Sequence, residues 1–188
     1  MHELELIQGL QNGEEMAFKY LVDTYQQRVF NTAIGIVQNA EDAEDVAQEV
    51  FIQVYRSIRN FKGESKLSTW LYRIATTRAL DLLRSRKSKK RFGFIQRMFG
   101  DNNEPLYEIP DFNHPGVAMD KKENATKLFK AIAQLPDNQK IAFTLHKLED
   151  LSYQHISEIM QTTVAAVESL MHRAKQNLRK MLEKESTE

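Results

Sequence analysis

The sequence predicts an all-α protein made of two small helical domains joined by a flexible linker. Apolar residues recur at spacings of three and four over most of the chain, which is typical of amphipathic helices. Glycine and proline are scarce, with 7 and 4 residues in 188, which argues against an all-β fold. Most of the prolines fall within residues 92–120, which predicts a linker there. We therefore expect one domain at residues 1–91 and a second at residues 121–188.

The helices of the first domain are predicted between residues 14 and 86. A helical apolar pattern covers residues 18–30, and the chain breaks near Gln38 and Asn39, where Asn39 can cap the following helix. That helix continues to Ile58, and residues 60–65 form a loop that contains Gly63. A further helix begins near Ser65 or Ser68. Its neighbours Leu67 and Leu71 favour a core position for Trp70 over a role in stacking on bases.

The second domain is predicted to contain helical segments at residues 121–135, 136–148, 152–160 and 163–182. Ser152 suits the cap of the third segment, and Gln161 with Thr162 forms the turn before the fourth. A short helix, a tight turn and a longer helix make a helix-turn-helix candidate. The last helix has an apolar stripe formed by Val164, Val167, Met171, Ala174 and Leu178. Its opposite face carries hydrogen-bonding and basic residues and could enter a major groove. An ordinary amphipathic helix in a bundle is the alternative interpretation.

Charge is distributed unevenly, although the formal net charge is zero. Residues 1–60 carry a net charge of −6 and residues 61–100 a net charge of +9. This segregation indicates two different partners on two different faces. Asp42, Asp45 and Glu49 line one helix face, which is either solvated or a docking surface for a basic partner. The basic run from Arg84 onward is either a solvated helix end or a contact to phosphates.

Several classes of protein are disfavoured by composition. The chain has no cysteine, which excludes disulfides and thiolate metal sites, and its five histidines show no ligand spacing, so we expect no metal and no cofactor. No apolar run approaches the ~20 residues that span a bilayer. The acidic start lacks the basic region of a signal peptide, so we expect a cytoplasmic protein.

Two blocks of sequence resemble a known family, the extracytoplasmic-function (ECF) sigma factors of the sigma-70 family. The segments DAEDVAQEVF at 42–51, FKGES at 61–65 and STWLYRIA at 68–75 resemble their region 2. The segments LP at 135–136, LSY at 151–153 and VESLMHRAK at 167–175 resemble their region 4. The resemblance implies a transcription initiation factor that directs core RNA polymerase to promoters through the −10 and −35 elements and helps to open the DNA. It implies no enzyme activity in the chain itself.

The resemblance also implies roles for individual residues. Four residues would dock on the clamp helices of the polymerase β′ subunit: Asp42, Asp45, Gln48 and Glu49. A loop and the helix after it would hold the −10 element, with one base flipped out of the stack: Phe61, Lys62, Gly63, Glu64, Ser65, Lys66, Arg73, Thr77 and Arg84. The last helix would recognise the −35 element: Thr163, Glu168, Ser169, His172, Arg173 and Gln176. Further implied partners are the polymerase β flap, promoter DNA and an anti-sigma factor.

Two positions depart from the family pattern. Glu168 stands where the family often has a basic residue, and Leu170 where it often has arginine. An acid near phosphates costs affinity, so direct −35 binding is expected to be modest.

Two other functions remain as alternatives. A helix-turn-helix repressor or activator would have a ligand pocket or dimer interface in residues 1–90 and would bind palindromic sites. A helical enzyme such as a hydrolase would need a nucleophile with its base, a phosphate-binding loop or a metal constellation, and the sequence offers none.

Overall fold

The structure, a computed structural model, describes residues 2–98 and 127–185, and all regular secondary structure within these ranges is helical. The predicted all-α class is therefore confirmed. The helices are α1 (Glu3–Asn12), α2 (Glu15–Val37), α3 (Ala40–Ser57), α4 (Leu67–Met98), α5 (127–133 within the described residues), α6 (Asp137–Lys147), α7 (Tyr153–Met160) and α8 (Val164–Glu185), with one 3₁₀ turn at Ile58–Asn60.

The first domain is built around the mutual packing of α2, α3 and α4. The predicted stripe of α3 is buried, because Val46, Val50, Val54 and Ile58 are each less than 5% exposed. Asn39 caps α3 as expected, since its side chain accepts a hydrogen bond of 2.9 Å from the backbone N–H of Asp42. These contacts set α3 beside α4 and leave its outer face to solvent.

Helix α1 is an element that the sequence pattern did not predict. Leu6 and Leu10 bury its inner face, at 4% and 5% exposure. Gly9 allows a close approach to α2, because a Cβ added at Gly9 would lie 2.8 Å from the Cβ of Ala17. The helix ends at Gly13, whose φ of 79° is in the left-handed region.

The second domain has the predicted helix-turn-helix geometry in α7 and α8. Ser152 caps α7 by accepting a hydrogen bond of 3.2 Å from the N–H of His155. Gln161 ends α7 in the left-handed region, with a φ of 52°. The predicted stripe of α8 is buried at four positions, the first three at 1% exposure or less and the last at 5%: Val167, Met171, Ala174 and Leu178.

The two domains pack against each other, through α2 with α6 and α4 with α7. Thr144 donates a hydrogen bond of 3.3 Å to the backbone oxygen of Gly35, and the Tyr72 hydroxyl donates one of 2.8 Å to Glu149. Leu145 and Ile156, both fully buried, belong to the same apolar core as the first domain. The sequence could not establish this arrangement.

The predicted linker is described only in part. Helix α4 continues to Met98, beyond Arg91, where the sequence placed the end of the first domain. The rest of the predicted linker, residues 99–120, lies outside the described residues.

Candidate nucleic-acid interface

A cavity of about 430 Å³ lies where the 3₁₀ turn leads into the loop before α4. Gly63 lies in this loop with a φ of 71°, so the turn requires a residue that tolerates the left-handed region. Five of the residues predicted to hold the −10 element line this cavity together: Phe61, Lys62, Glu64, Ser65 and Arg73. Four of these side chains come from the loop itself, and the fifth, Arg73, comes from α4.

The wall of the cavity is aromatic. The rings of Phe61 and Trp70 lie 4.9 Å apart between centroids, at an angle of 34°. Trp70 is half-buried and packs against the core, as the sequence indicated, but it also lines the cavity. A half-buried aromatic wall of this kind offers a stacking surface to a planar ring such as a base.

Three polar residues of the cavity were missed in the sequence: Gln53, Ser57 and Asn60. Gln53 is held in place by Arg78, whose Nε donates a hydrogen bond of 2.7 Å to the Gln53 side chain. Gln53 follows Glu49 by four residues, so its spacing assigns it to the face predicted for polymerase docking, and no local pattern placed it at the cavity.

Arg73 lies at the junction of the two domains. Its guanidinium donates hydrogen bonds of 2.7 and 3.3 Å to the backbone oxygen of Glu158, in the last turn of α7. A cation at a helix C-terminus is favoured by the helix dipole. In this arrangement Arg73 both lines the cavity and connects α4 to the second domain.

The other predicted −10 residues are not in this cavity. Thr77 lines a separate cavity of about 390 Å³ between the domains, together with Arg73 and residues of α6 and α7. Lys66 is exposed just before α4. Arg84 is also exposed and pairs with Asp81 at 3.5 Å.

The acidic face of α3 is divided. Asp45, Gln48 and Glu49 are exposed, whereas Asp42 is only 6% exposed and forms an ion pair with the Arg86 guanidinium. Burial raises the pKa of Asp42 above its usual value, and the charge of Arg86 opposes that shift. Among the described residues, the second carboxylate oxygen of Asp42 has no hydrogen-bond partner. Asp42 is thus placed to hold α4 against α3, and the three exposed residues form the accessible part of this face.

A groove beside the acidic face adds apolar surface that the sequence analysis did not include. It has a volume of about 390 Å³ between α2 and α3. Its lining is half apolar and half polar: Val22, Phe30, Ala47 and Phe51, with Gln26, Gln27, Glu44 and Gln48. Through Gln48, the exposed part of the acidic face is therefore continuous with a groove that offers apolar surface.

The polar face of α8 is open to solvent. All six residues predicted to recognise the −35 element are exposed: Thr163, Glu168, Ser169, His172, Arg173 and Gln176. Thr163 also caps α8, since its hydroxyl oxygen accepts a hydrogen bond of 3.1 Å from the N–H of Ala166. Leu170, which departs from the family pattern, is half-buried against the core.

Within residues 2–98 and 127–185, no three histidine or acidic side chains are grouped so that they could hold a metal ion. No helix in these same ranges is long and apolar enough to cross a membrane.

Comparison with known proteins gives two family matches that coincide with the two domains. The family model for sigma-70 region 2 matches residues 21–89, and that for sigma-70 region 4 matches residues 126–178. Both matches lie in the order that the sequence resemblance implied.

Similar proteins match almost the whole chain. The RNA polymerase sigma-H factor of Pseudomonas aeruginosa is 35% identical over 95% of this chain and 93% of its own. The ECF RNA polymerase sigma-E factor of Haemophilus influenzae is 37% identical over 91% of this chain and 90% of its own. The ECF sigma factor SigW of Bacillus subtilis is 33% identical over 94% of each chain.

Solved structures support the same fold. CnrH in complex with the cytosolic domain of CnrY matches with a TM-score of 0.70 at 18% identity, covering 97% of each chain. The sigma factor RpoE of Bartonella quintana, in complex with the anti-sigma factor NepR, matches with a TM-score of 0.64 at 20% identity, covering 88% of this chain and 96% of its own. With both sigma-70 regions matched in order and relatives above 30% identity along nearly its full length, the chain belongs to the ECF sigma factors of the sigma-70 family, which initiate transcription at specific promoters.

Proposed function

We propose that this chain initiates transcription by binding core RNA polymerase through the outer face of α3 and promoter DNA through the loop cavity and α8. The observation that carries this proposal is the cavity, in which five predicted −10 residues meet around an aromatic wall. Catalysis remains with the polymerase, and the chain itself is no enzyme. It acts in the cytoplasm, where the polymerase works.

The cavity suits one base that has left the double helix. Its volume of about 430 Å³ lies within the range of ~300–1,000 Å³ usual for ligand pockets. The Phe61 and Trp70 rings supply the stacking surface, and the polar side chains of Gln53 and Ser65 supply hydrogen bonds to base edges. Lys62 and Arg73 are placed to neutralise the neighbouring phosphates of the opened strand.

The outer face of α3 suits a partner with basic and apolar residues, such as the clamp helices of the β′ subunit. Asp45 and Glu49 supply negative charge, and Gln48 links them to the apolar groove. Charge complementarity would set the orientation and the rate of docking, and the groove would bury apolar surface. Asp42 would contribute indirectly, by fixing α4 against α3.

The exposed face of α8 suits the major groove at the −35 element. Arg173 and Gln176 have the donor groups that recognise guanine and adenine edges, and Glu168 can accept from a cytosine amino group. In a −35 complex, α8 and Ser152-capped α7 would bind the duplex together. The second domain would also contact the β flap of the polymerase.

We also propose that an anti-sigma factor binds this chain. Two solved structures with the same fold, CnrH and RpoE, are each in complex with a partner protein, and RpoE is a sigma factor bound to the anti-sigma factor NepR. Such a partner would act by covering the α3 face or the DNA-binding faces.

The proposal is tested by transcription from a library of random promoters with purified core polymerase, with and without the chain. We expect the chain to enrich templates that share two short motifs, one near −10 and one near −35. Core polymerase alone is the control. If circular dichroism shows that the chain is folded and no template is enriched, the proposed function is contradicted.

A further inference from the structure

Helix α1 contacts both ends of the loop that forms the cavity. At the start of the loop, the side-chain amide of Gln11 donates hydrogen bonds of 3.0 Å to the backbone oxygen of Phe61 and 3.4 Å to that of Ile58. At its end, the Glu3 carboxylate accepts a hydrogen bond of 2.6 Å from the N–H of Leu67. Five of the residues that line the cavity lie between Ile58 and Leu67: Asn60, Phe61, Lys62, Glu64 and Ser65.

Both contacts satisfy backbone groups that their own elements leave unpaired. The carbonyl group of Phe61 lies just beyond the 3₁₀ turn, and Gln11 supplies a donor to it. The carbonyl group of Ile58 already accepts a hydrogen bond of 3.0 Å from the N–H of Phe61, and Gln11 adds a second, longer one. The first N–H groups of α4 are likewise unpaired within the helix, and Lys66, just before Leu67, has no side-chain acceptor to cap them. Glu3 supplies that acceptor, and its negative charge is also favoured at a helix N-terminus.

Helix α1 is itself packed firmly against the rest of the domain, so its hydrogen bonds can hold the loop in place. Leu6 and Leu10 are buried in the core, and the close approach of Gly9 to Ala17 sets α1 against α2. A displacement of the loop would therefore have to break contacts to a packed helix.

We propose that Glu3 and Gln11 are positioning residues for −10 recognition, which hold the two ends of the loop so that its aromatic and basic side chains meet an opened strand in the correct geometry. This inference rests on the proposed function of the cavity. Neither residue touches DNA. Their effect is exerted through Phe61 and through the start of α4, which carries Trp70 and Arg73.

The test compares three variants with two matched controls on the same helix. Glu3→Ala removes the acceptor and its charge, Glu3→Gln removes the charge alone, and Gln11→Ala removes the donor. Glu5→Gln is the control for Glu3, because the Glu5 carboxylate binds only the N–H of His2 among the contacts that the structure describes. Gln8→Ala is the control for Gln11, because Gln8 is exposed on the outer face of α1.

Each variant is assembled with core polymerase on the promoter that the wild-type chain selects from the random library. Opening is followed by the fluorescence of 2-aminopurine in the non-template −10 strand. Binding is measured on the same promoter with a preformed bubble, and the affinity for core polymerase is titrated in parallel. We expect Glu3→Ala and Gln11→Ala to lower both opening and bubble affinity about tenfold, as for the loss of a charged or paired hydrogen bond. Glu3→Gln should lose less, while core affinity stays within about twofold.

Wild-type opening by Glu3→Ala and Gln11→Ala would overturn the inference. An equal loss in the Glu5→Gln and Gln8→Ala controls would also overturn it, and so would a parallel loss of core affinity, because either would indicate a general effect on the fold. Failure of the proposed function gives a different result, since the wild-type chain would then select and open no promoter.

Discussion

At the scale of single residues, Asp42 shows that a residue on a predicted docking face of a helix need not be accessible to a partner. Its spacing from Asp45 and Glu49 is helical, so the sequence placed all three on one docking face. In the structure, Arg86 from α4 reaches Asp42 and pairs with it, while Asp45 and Glu49 remain exposed. That contact joins residues 44 positions apart, which no local pattern encodes.

Arg86→Ala is expected to lower the free energy of unfolding by about 1–3 kcal/mol, because it leaves the buried carboxylate of Asp42 without the cation that pairs with it. Asp45→Lys should have the opposite profile, with wild-type stability and no detectable binding to core polymerase. Urea unfolding and titration with core polymerase measure the two effects. Weaker polymerase binding by Arg86→Ala at unchanged stability would contradict this division of roles.

At the scale of helices, much of the fold could be predicted because its signals are local. The caps Asn39 and Ser152 and the stripe of α8 from Val167 to Leu178 all lie where the spacing placed them. Leu170 departs from the family pattern, and its half-buried position against the core explains it as a packing residue. The polar face of α8 is therefore free of that apolar side chain.

Helix α1 and the cavity were harder to predict, because their signals in the sequence are weak or not local. Only Leu6 and Leu10 of α1 are buried apolar residues, too few for a clear period, and Gly9 weakens the helical signal. The hydrogen bonds of Glu3 and Gln11 to the loop span 64 and 50 residues. The family resemblance supplied the loop residues of the site, but only the tertiary structure showed what supports them.

Helix α8 gives a prediction about sequence recognition. Arg173→Ala should weaken binding to the selected −35 duplex by about 1–3 kcal/mol and leave binding to unrelated duplex nearly unchanged, as expected of a contact to a base edge. Lys175→Ala, on an exposed neighbouring position, should weaken both duplexes similarly, because a phosphate contact carries no sequence information. Fluorescence anisotropy at fixed salt measures both. Equal losses on both duplexes for Arg173→Ala would reduce Arg173 to a phosphate contact.

At the scale of the whole molecule, the packing of the two domains depends on Gly35. A Cβ added there would overlap the Cγ2 atom of Thr144 and lie 2.8 Å from the Cδ1 atom of Leu148. Gly35→Ala is expected to separate the domains, because α6 could no longer approach α2, and to raise the radius of gyration measured by small-angle X-ray scattering. Each domain should keep its helix content.

A compensating change provides the control for this prediction. Thr144→Ala removes two of the three atoms nearest to the added Cβ, so the double variant should recover part of the compact form. Identical scattering of wild type and Gly35→Ala would show that the domains do not depend on this contact.

The same interface should respond to pH through His155, whose Nε2 lies 2.9 Å from the Thr69 hydroxyl and whose ring meets Tyr72 edge-on. Burial lowers the pKa of His155, Glu158 opposes the shift and Lys66 adds to it. A lowered pKa means that the packed form binds the proton less well, so domain packing is complete above pH 6.5 and weakens as the pH falls below that value.

Glu149 has the opposite effect on domain packing. Burial raises its pKa, so the packed form binds the proton more tightly and packing becomes more stable as the pH falls. The chain has no cysteine, so dyes on Lys19→Cys and Lys180→Cys, both exposed, report domain separation by energy transfer. We expect transfer to fall as the pH drops from 7.5 toward 5.5 in the wild type and to stay level or rise in His155→Gln, where the contribution of Glu149 remains. The same fall in His155→Gln would contradict the assignment to His155.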